Sequence, residues 1–161
     1  MLALRYAAVL ALVLWMGGLL AIGTLAAPAA FDVLGARGAE GRALAGAVIG
    51  EALRRFNLAA YLCAGVVLLS LAIRGVLGPR PRRFALRVAG LLVMTAATVY
   101  AGMVLAPQIV QVQQTIGAAP STLDPTDPRR IEFGRLHARS VYVQLVPLLG
   151  GLALLFFELK D

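Results

Sequence analysis

Three observations point to an all-α membrane protein: a four-transmembrane-helix bundle made of two parallel-repeat helical hairpins, with an amphipathic helix at its outer face. The first is composition. Of 161 residues, 60% are apolar and only 14% charged, with a mean hydropathy of +0.84. An ordinary soluble domain carries about 45–50% apolar and about 25% charged residues, so this chain has more apolar surface than its own interior can hide. The second is a set of four uncharged apolar runs near the roughly 20 residues that cross a hydrocarbon core. The third is a partial repetition of landmarks between the two halves. One cysteine, Cys63, and the absence of low-complexity tracts exclude a disulfide-stapled domain, a fibre and a disordered chain. The net charge of +7 comes from basic residues, all but one of them Arg, grouped at the ends of apolar runs. Loops of membrane proteins collect positive charge there, which removes nucleic acid as a partner and leaves the lipid bilayer.

The chain reads as one integral membrane domain, 1–161, with spans over 6–27, 56–73, 84–106 and 140–157. Span one lies between Arg5 and Pro28. It is longer than the roughly 7–15 residues of a signal-peptide core, and Pro28 would follow the cleavage point, so it is read as a retained helix. Span two is bounded by Arg55 and Arg74, span three has Arg87 at its entrance, and span four lies between Arg139 and Glu158. None alternates with period two, which excludes a β-barrel. The loop Gly78-Pro79-Arg80-Pro81-Arg82-Arg83, flanked by Arg74 and Arg87, contains no acid. The positive-inside rule therefore places it, and with it both termini, in the cytoplasm, and the protein in the cell's inner (plasma) membrane.

The connections 29–55 and 108–139 are then outside. In the first, Leu44, Val48, Ile49, Ala52, Leu53 and Phe56 recur at helical spacing, with Glu51 and Arg55 as an i,i+4 pair. This predicts the amphipathic helix, over 40–56, lying on the outer membrane face. In the second, Gln108, Gln111, Gln113 and Gln114 continue span three before Pro120, Pro125 and Pro128 break the chain around a turn at 121–127. Ala27-Pro28 matches Ala106-Pro107 at an offset of 79, and Arg55-Phe56-Asn57 falls on Arg135-Leu136-His137 at an offset of 80. Both halves run in the same direction, as in a parallel repeat about an axis along the membrane normal.

Polar groups in hydrocarbon are costly without a partner, so their positions indicate the interior. His137, Ser140, Gln144, Pro147 and Gly151 form one helical stripe, polar at its outer end. Gly17, Ala21, Thr24 and Pro28 form a small-residue stripe on span one, and Thr95, Thr98 and Gly102 one on span three. Such stripes are ordinary packing faces. The sole histidine is His137; an imidazole is a side chain suited to ligand binding or proton handling, beside the plain alternative of a helix-end hydrogen-bonder. The expected ligand site is an outward-opening polar pocket of His137, Ser140 and Gln144 with Asn57, Gln108, Gln111, Arg55, Arg135 and Arg139. No catalytic residue is assigned, and no triad, phosphate loop or zinc motif occurs. One His and one Cys cannot supply a structural zinc, and Met1, Met16, Met94 and Met103 do not cluster for copper.

Trp15-Met16-Gly17-Gly18, then Ala27-Pro28 and Phe31, then Asp127-Pro128 and Phe133-x-x-x-His137-x-x-Ser140, resemble the transmembrane protein 205 family, whose bacterial members form a four-span family of unknown function. The resemblance implies that His137 and Ser140 are that family's signature polar pair, and that Gln144 stands where an Asn is expected. Animal members are linked to resistance to platinum drugs, which implies export or metal handling without naming a substrate for this chain. The leading functional reading is a protein that binds or transports a small molecule or ion. A second is a non-catalytic subunit assembling with another membrane protein or with itself. A third is a membrane oxidoreductase using haem or quinone, although the residues specify no cofactor.

Overall fold

The computed structural model describes residues 1–78 and 80–160; Pro79, read above as part of the basic loop, and Asp161 lie outside the described residues. The described residues form four helical rods. The first is α1 (Leu2–Ala21), a π-helical segment (Ile22–Ala26) and α2 (Ala27–Gly35); the second is α3 (Ala39–Leu77). The third is α4 (Phe84–Tyr100), a second π segment (Ala101–Leu105) and α5 (Ala106–Ile116). After a 3₁₀ turn (Pro120–Thr122) comes α6 (Pro128–Lys160). All four rods are long and apolar enough to cross a membrane.

The rods outlast the hydrocarbon. At about 1.5 Å per residue, α3 reaches about 58 Å, nearly twice a core of about 30 Å. This corrects one expectation. The segment over 40–56 is not a separate helix lying in the membrane plane but the first half of α3, unbroken into span two. Nothing in 50–60 is a helix breaker except Gly50, and α2 packs along α3, where Gly41 and Ala45 are buried while Leu44 and Val48 stay exposed.

Proline explains the π segments. Pro28 and Pro107 lack an N–H, and each ring collides with the carbonyl four residues back. The helix accommodates them by widening one turn: Ala27 N–H donates to the Ile22 carbonyl and Ala106 N–H to the Ala101 carbonyl, both five residues back. Just before, Ile22 N–H is shared between the carbonyls of Gly18 and Leu19, and Ala101 N–H between those of Ala97 and Thr98. The two distortions are identical in hydrogen bonding and lie 79 residues apart.

Both α1 and α4 pack on α3 and on α6, closing a ring of four; α2 continues along α3 and α5 along α6. Leu12, Trp15, Ala60, Val67, Leu71, Leu91, Met94 and Leu154 fill the ring. Large apolar residues also cover the outside, among them Leu14, Leu25, Leu62, Leu69, Val93 and Leu149. In lipid such exposure carries no hydrophobic penalty, and what selects the inward face is the fit of side chains between helices. Gly150 and Gly151 show that fit. A Cβ at Gly151 would fall 2.5 Å from Met16 Sδ, and one at Gly150 would fall 2.6 Å from Met94 Cγ.

The same logic corrects the stripe on span one. Gly17, Ala21, Thr24 and Pro28 are exposed, on the side of the rod opposite the buried Ala8, Ala11, Leu12, Trp15 and Met16. The bulky face fills the ring, and the small-residue face is turned outward. On α4 the threonines satisfy themselves: Thr95 and Thr98 hydroxyls donate to the carbonyls of Leu91 and Met94 at 2.8 and 3.0 Å.

At the end of the bundle that carries Met1, the 80–83 loop and Lys160, a charge cluster is buried. Glu158 is 3% exposed and accepts from Arg74 Nη1 at 2.8 Å and from Arg87 Nη1 at 2.8 Å. Arg87, 1% exposed, also donates to the Phe157 carbonyl and, through Nε, to the Arg82 carbonyl at 3.0 Å. Arg5 donates to the main-chain carbonyl of Glu158, and Ser70 to that of Leu4. Charges that mark span boundaries in the sequence thus join all four rods here.

Candidate functional site at the glutamine-bearing end

At the opposite end, α5 keeps its helix past the apolar run because Gln108, Gln111, Gln113 and Gln114 are sound helix formers. It stops at Gly117, whose positive φ of 67° lets its N–H return to the Gln113 carbonyl. The chain turns through Pro120–Thr122 and Asp124–Asp127, and α6 begins at Pro128, where a missing N–H costs nothing. Asp127 caps this start: its Oδ1 accepts from the Arg129 main-chain N–H at 2.8 Å, and Oδ2 pairs with the Arg129 guanidinium at 2.9 Å. These contacts hold the Asp127 carboxyl below its ordinary range, the Arg129 side chain contributing most. Asp124 is lowered likewise, chiefly by the Thr126 hydroxyl and then by the Thr126 amide.

The hairpin so formed borders an open cavity of about 490 Å³ between α5 and the first turns of α6. Gln108, Gln111, Val112 and Thr115 line it from α5, and Glu132, Arg135, Leu136 and Arg139 from α6. Four residues singled out in the sequence meet here: Gln108, Gln111, Arg135 and Arg139. Glu132, Thr115, Val112 and Leu136 were not among them. The spacing 132, 135/136, 139 is a helical face and 108, 111/112, 115 is another, so the signal was present once the two were known to face each other.

The other candidates lie elsewhere. His137 is exposed and stacks on Phe133, with ring centroids 6.0 Å apart and planes 6° from parallel. Its stripe continues through Ser140, whose hydroxyl accepts from Gln144 Nε2 at 3.4 Å. At 100° per residue this face is turned roughly a third of a turn from the cavity face of the same helix. Asn57 is half-buried on α3 beside the second π segment, where a Cβ at Gly102 would fall 2.7 Å from its Nδ2 and 2.8 Å from the Tyr61 hydroxyl. Arg55 is exposed and pairs with Glu51 at 2.7 Å, which also holds Arg54. Met16 and Met94, seated on Gly151 and Gly150, are about 20 Å along α6 from His137. Among the described residues, no group of three His, Cys, Asp or Glu side chains is placed to hold a metal ion.

The cavity presents two guanidiniums and one carboxylate beside neutral amides and a hydroxyl, over the apolar floor of Val112 and Leu136. Such a lining offers charge-assisted hydrogen bonds to an anionic group and ordinary ones to neutral polar atoms. With four candidate membrane spans and a polar cavity at one end, the molecule is a multi-pass helical membrane protein. It belongs to the family described as a domain of unknown function, DUF4149, whose model matches residues 10–118. That range takes in both π segments and α5, and leaves α6 outside. No curated protein and no solved structure matches the chain.

Proposed function

We propose that this protein binds, and moves across or delivers to the membrane, a small polar molecule carrying an anionic group, with the cavity between α5 and α6 as its site. One observation carries this reading: four polar residues picked out by sequence position alone, Gln108, Gln111, Arg135 and Arg139, converge from two helices on one cavity. Arg135 and Arg139 hold the anionic group, Gln108 and Gln111 the neutral polar atoms, and Glu132 a cationic substituent where the ligand has one. His137, Ser140 and Gln144 form a polar approach on the neighbouring face of α6. Asn57 and Arg55 belong to the same end of the molecule, without lining the cavity.

The test is a thermal-shift screen of the purified, detergent-solubilised chain against amino acids and small dicarboxylates. A ligand that raises the melting temperature of the native protein, and fails to do so for Arg139→Gln and for Gln111→Ala, supports the site. Equal shifts in native protein and both variants would place binding elsewhere.

The acid-free basic loop supports an orientation with that loop and both termini cytoplasmic and the cavity facing outward, in the inner (plasma) membrane. The matching π segments, each followed by Ala-Pro, support a parallel repeat. So does the packing, in which exchanging α1 with α4 and α3 with α6 maps the α1/α6 contact onto α4/α3. Relation to the transmembrane protein 205 family, and with it an export role, is part of this reading and rests on the residue pattern around Trp15, Pro28 and His137. The second reading, a subunit of a larger membrane assembly, draws on the outward-facing Gly17, Ala21, Thr24 and Pro28; a Cβ at Gly17 would meet nothing within 4 Å. Co-purification of a stoichiometric partner that Gly17→Leu releases favours it over the first.

A further inference from the structure

We propose that the cavity at the basic end is a binding site for phosphate groups, and that its occupant is the headgroup of an anionic phospholipid. The cavity measures about 480 Å³ and forms where the start of α1, the end of α3, the 80–82 loop and the end of α6 meet. Arg5, Arg74, Arg80, Arg82 and Lys160 line it, and among the described residues no acidic one does. Glu158, two residues before Lys160, is engaged by Arg74 and Arg87. Among the described residues Arg5, Arg80, Arg82 and Lys160 have no carboxylate partner.

So many like charges brought together at the edge of a low-dielectric bundle repel one another unless an anion sits among them. The arrangement is held in place from inside. Arg87, locked on Glu158 and the Phe157 carbonyl, donates through Nε to the Arg82 carbonyl, which pins the loop that presents Arg80 and Arg82. Arg83 then reverses the chain through a left-handed conformation, φ 54°, and places its guanidinium 5.6 Å from the Phe157 ring centroid. Pro81, buried between the two arginines, fixes the loop further. A buried network that preorganises exposed cations lowers the ordering cost of binding an anion.

The choice of a lipid over a soluble phosphate follows from the rim. Met1 and Leu2, which also line the cavity, are 57% and 81% exposed, so apolar surface for an acyl chain adjoins the cationic pocket. The pocket also lies at the end of a membrane-crossing bundle, the level at which headgroups sit and where basic pockets between helices take them.

The experiment is native mass spectrometry of the full chain from detergent, with phosphatidylglycerol or phosphatidylcholine added. The variants are Arg80→Gln/Arg82→Gln and, for an equal loss of charge at the other end, Arg37→Gln/Arg42→Gln. Native protein and the 37/42 variant are expected to retain phosphatidylglycerol about tenfold better than phosphatidylcholine, and the 80/82 variant to lose most of that preference. No preference in the native protein, or the same loss in both variants, overturns the site. If millimolar inorganic phosphate alone displaces phosphatidylglycerol and protects the native protein from heat as well as the lipid does, the pocket serves a soluble phosphate and the lipid assignment falls.

Discussion

Glu158 illustrates how much can depend on one side chain. It is the shared partner of Arg74 and Arg87, both buried, so Glu158→Gln removes one carboxylate charge from beside two guanidiniums at once. Breaking a buried ion pair from one side costs about 3–5 kcal/mol, far more than the pair contributes over an apolar replacement. Glu158→Gln is therefore expected to lower the unfolding midpoint of the detergent-solubilised protein sharply, whereas Glu132→Gln, at an exposed position, leaves it nearly unchanged. Asp127 makes a pH-dependent contribution. Its carboxyl is depressed in the folded chain by Arg129, so the stabilisation is complete above the unfolded aspartate value of about 3.9 and is lost as pH falls through the lower folded value. Hydrogen exchange should show the Arg129 amide protected at neutral pH and released only in acid below that window; release already at pH 6 would contradict the cap.

Single glycines decide how the elements meet. Gly41 begins α3 against the end of α2, and a Cβ there would fall 1.9 Å from the Leu34 carbonyl oxygen, a main-chain atom that cannot step aside. Gly41→Ala should cost at least the roughly 1–3 kcal/mol of an overpacked core site, while Gly17→Ala, with open space around it, should leave the unfolding midpoint unchanged. The π segments act on the same scale. One residue more per turn rotates everything beyond it by about 100°, so Pro107 sets which face of α5 meets α6. Gly46 of α3 lies beside Gln113 of α5, with the added Cβ 3.4 Å from Nε2. Cysteines at these two positions, in a Cys63→Ala background, should be joined by a short bifunctional thiol cross-linker that spans the length of the Gln113 side chain. Adding Pro107→Ala, which lets the π segment relax to an ordinary turn, should weaken that cross-link and with it ligand binding in the cavity; an unchanged cross-link would show that the proline does not set the rotation of α5.

The molecule as a whole has two chemically different ends joined by an apolar ring. One end gathers Arg5, Arg74, Arg80, Arg82, Arg87 and Lys160 around Glu158; the other carries Gln108, Gln111, Arg135, Arg139 and Glu132 around a cavity. If the bundle crosses a membrane with the basic loop inside, single cysteines at Gly78 and Ser121, again without Cys63, must label from opposite sides. Labelling of Gly78 by an impermeant reagent from outside would reverse the orientation, and with it the side from which the cavity is reached.

Four helices and the break at Pro120–Pro128 were legible along the chain, because apolar length and proline are local properties that need no neighbour to act; that α6 begins at Pro128, well before the span read over 140–157, was not. The continuation of α3 through 40–56 was legible as a helix, but not as one rod with span two. Whether an amphipathic segment lies on lipid or runs on upright depends on what packs against it, here α2, which closes on Gly41 and leaves Leu44 and Val48 exposed. Facing was the part that could not be read. His137, Ser140 and Gln144 shared a stripe with Pro147 and Gly151, yet only the deeper two are buried, while Arg135 and Arg139, one face round, line the cavity. The span-one stripe of small residues looked like a packing face and is turned out, because Trp15 and Met16 on the other side fill the ring. Arg74, Arg87 and Glu158 looked like boundary markers and are a buried cluster, 71 and 84 residues apart in sequence. Periodicity states which residues share a face; only the packing of helices, and the extra rotation that each π segment introduces, decides what that face meets.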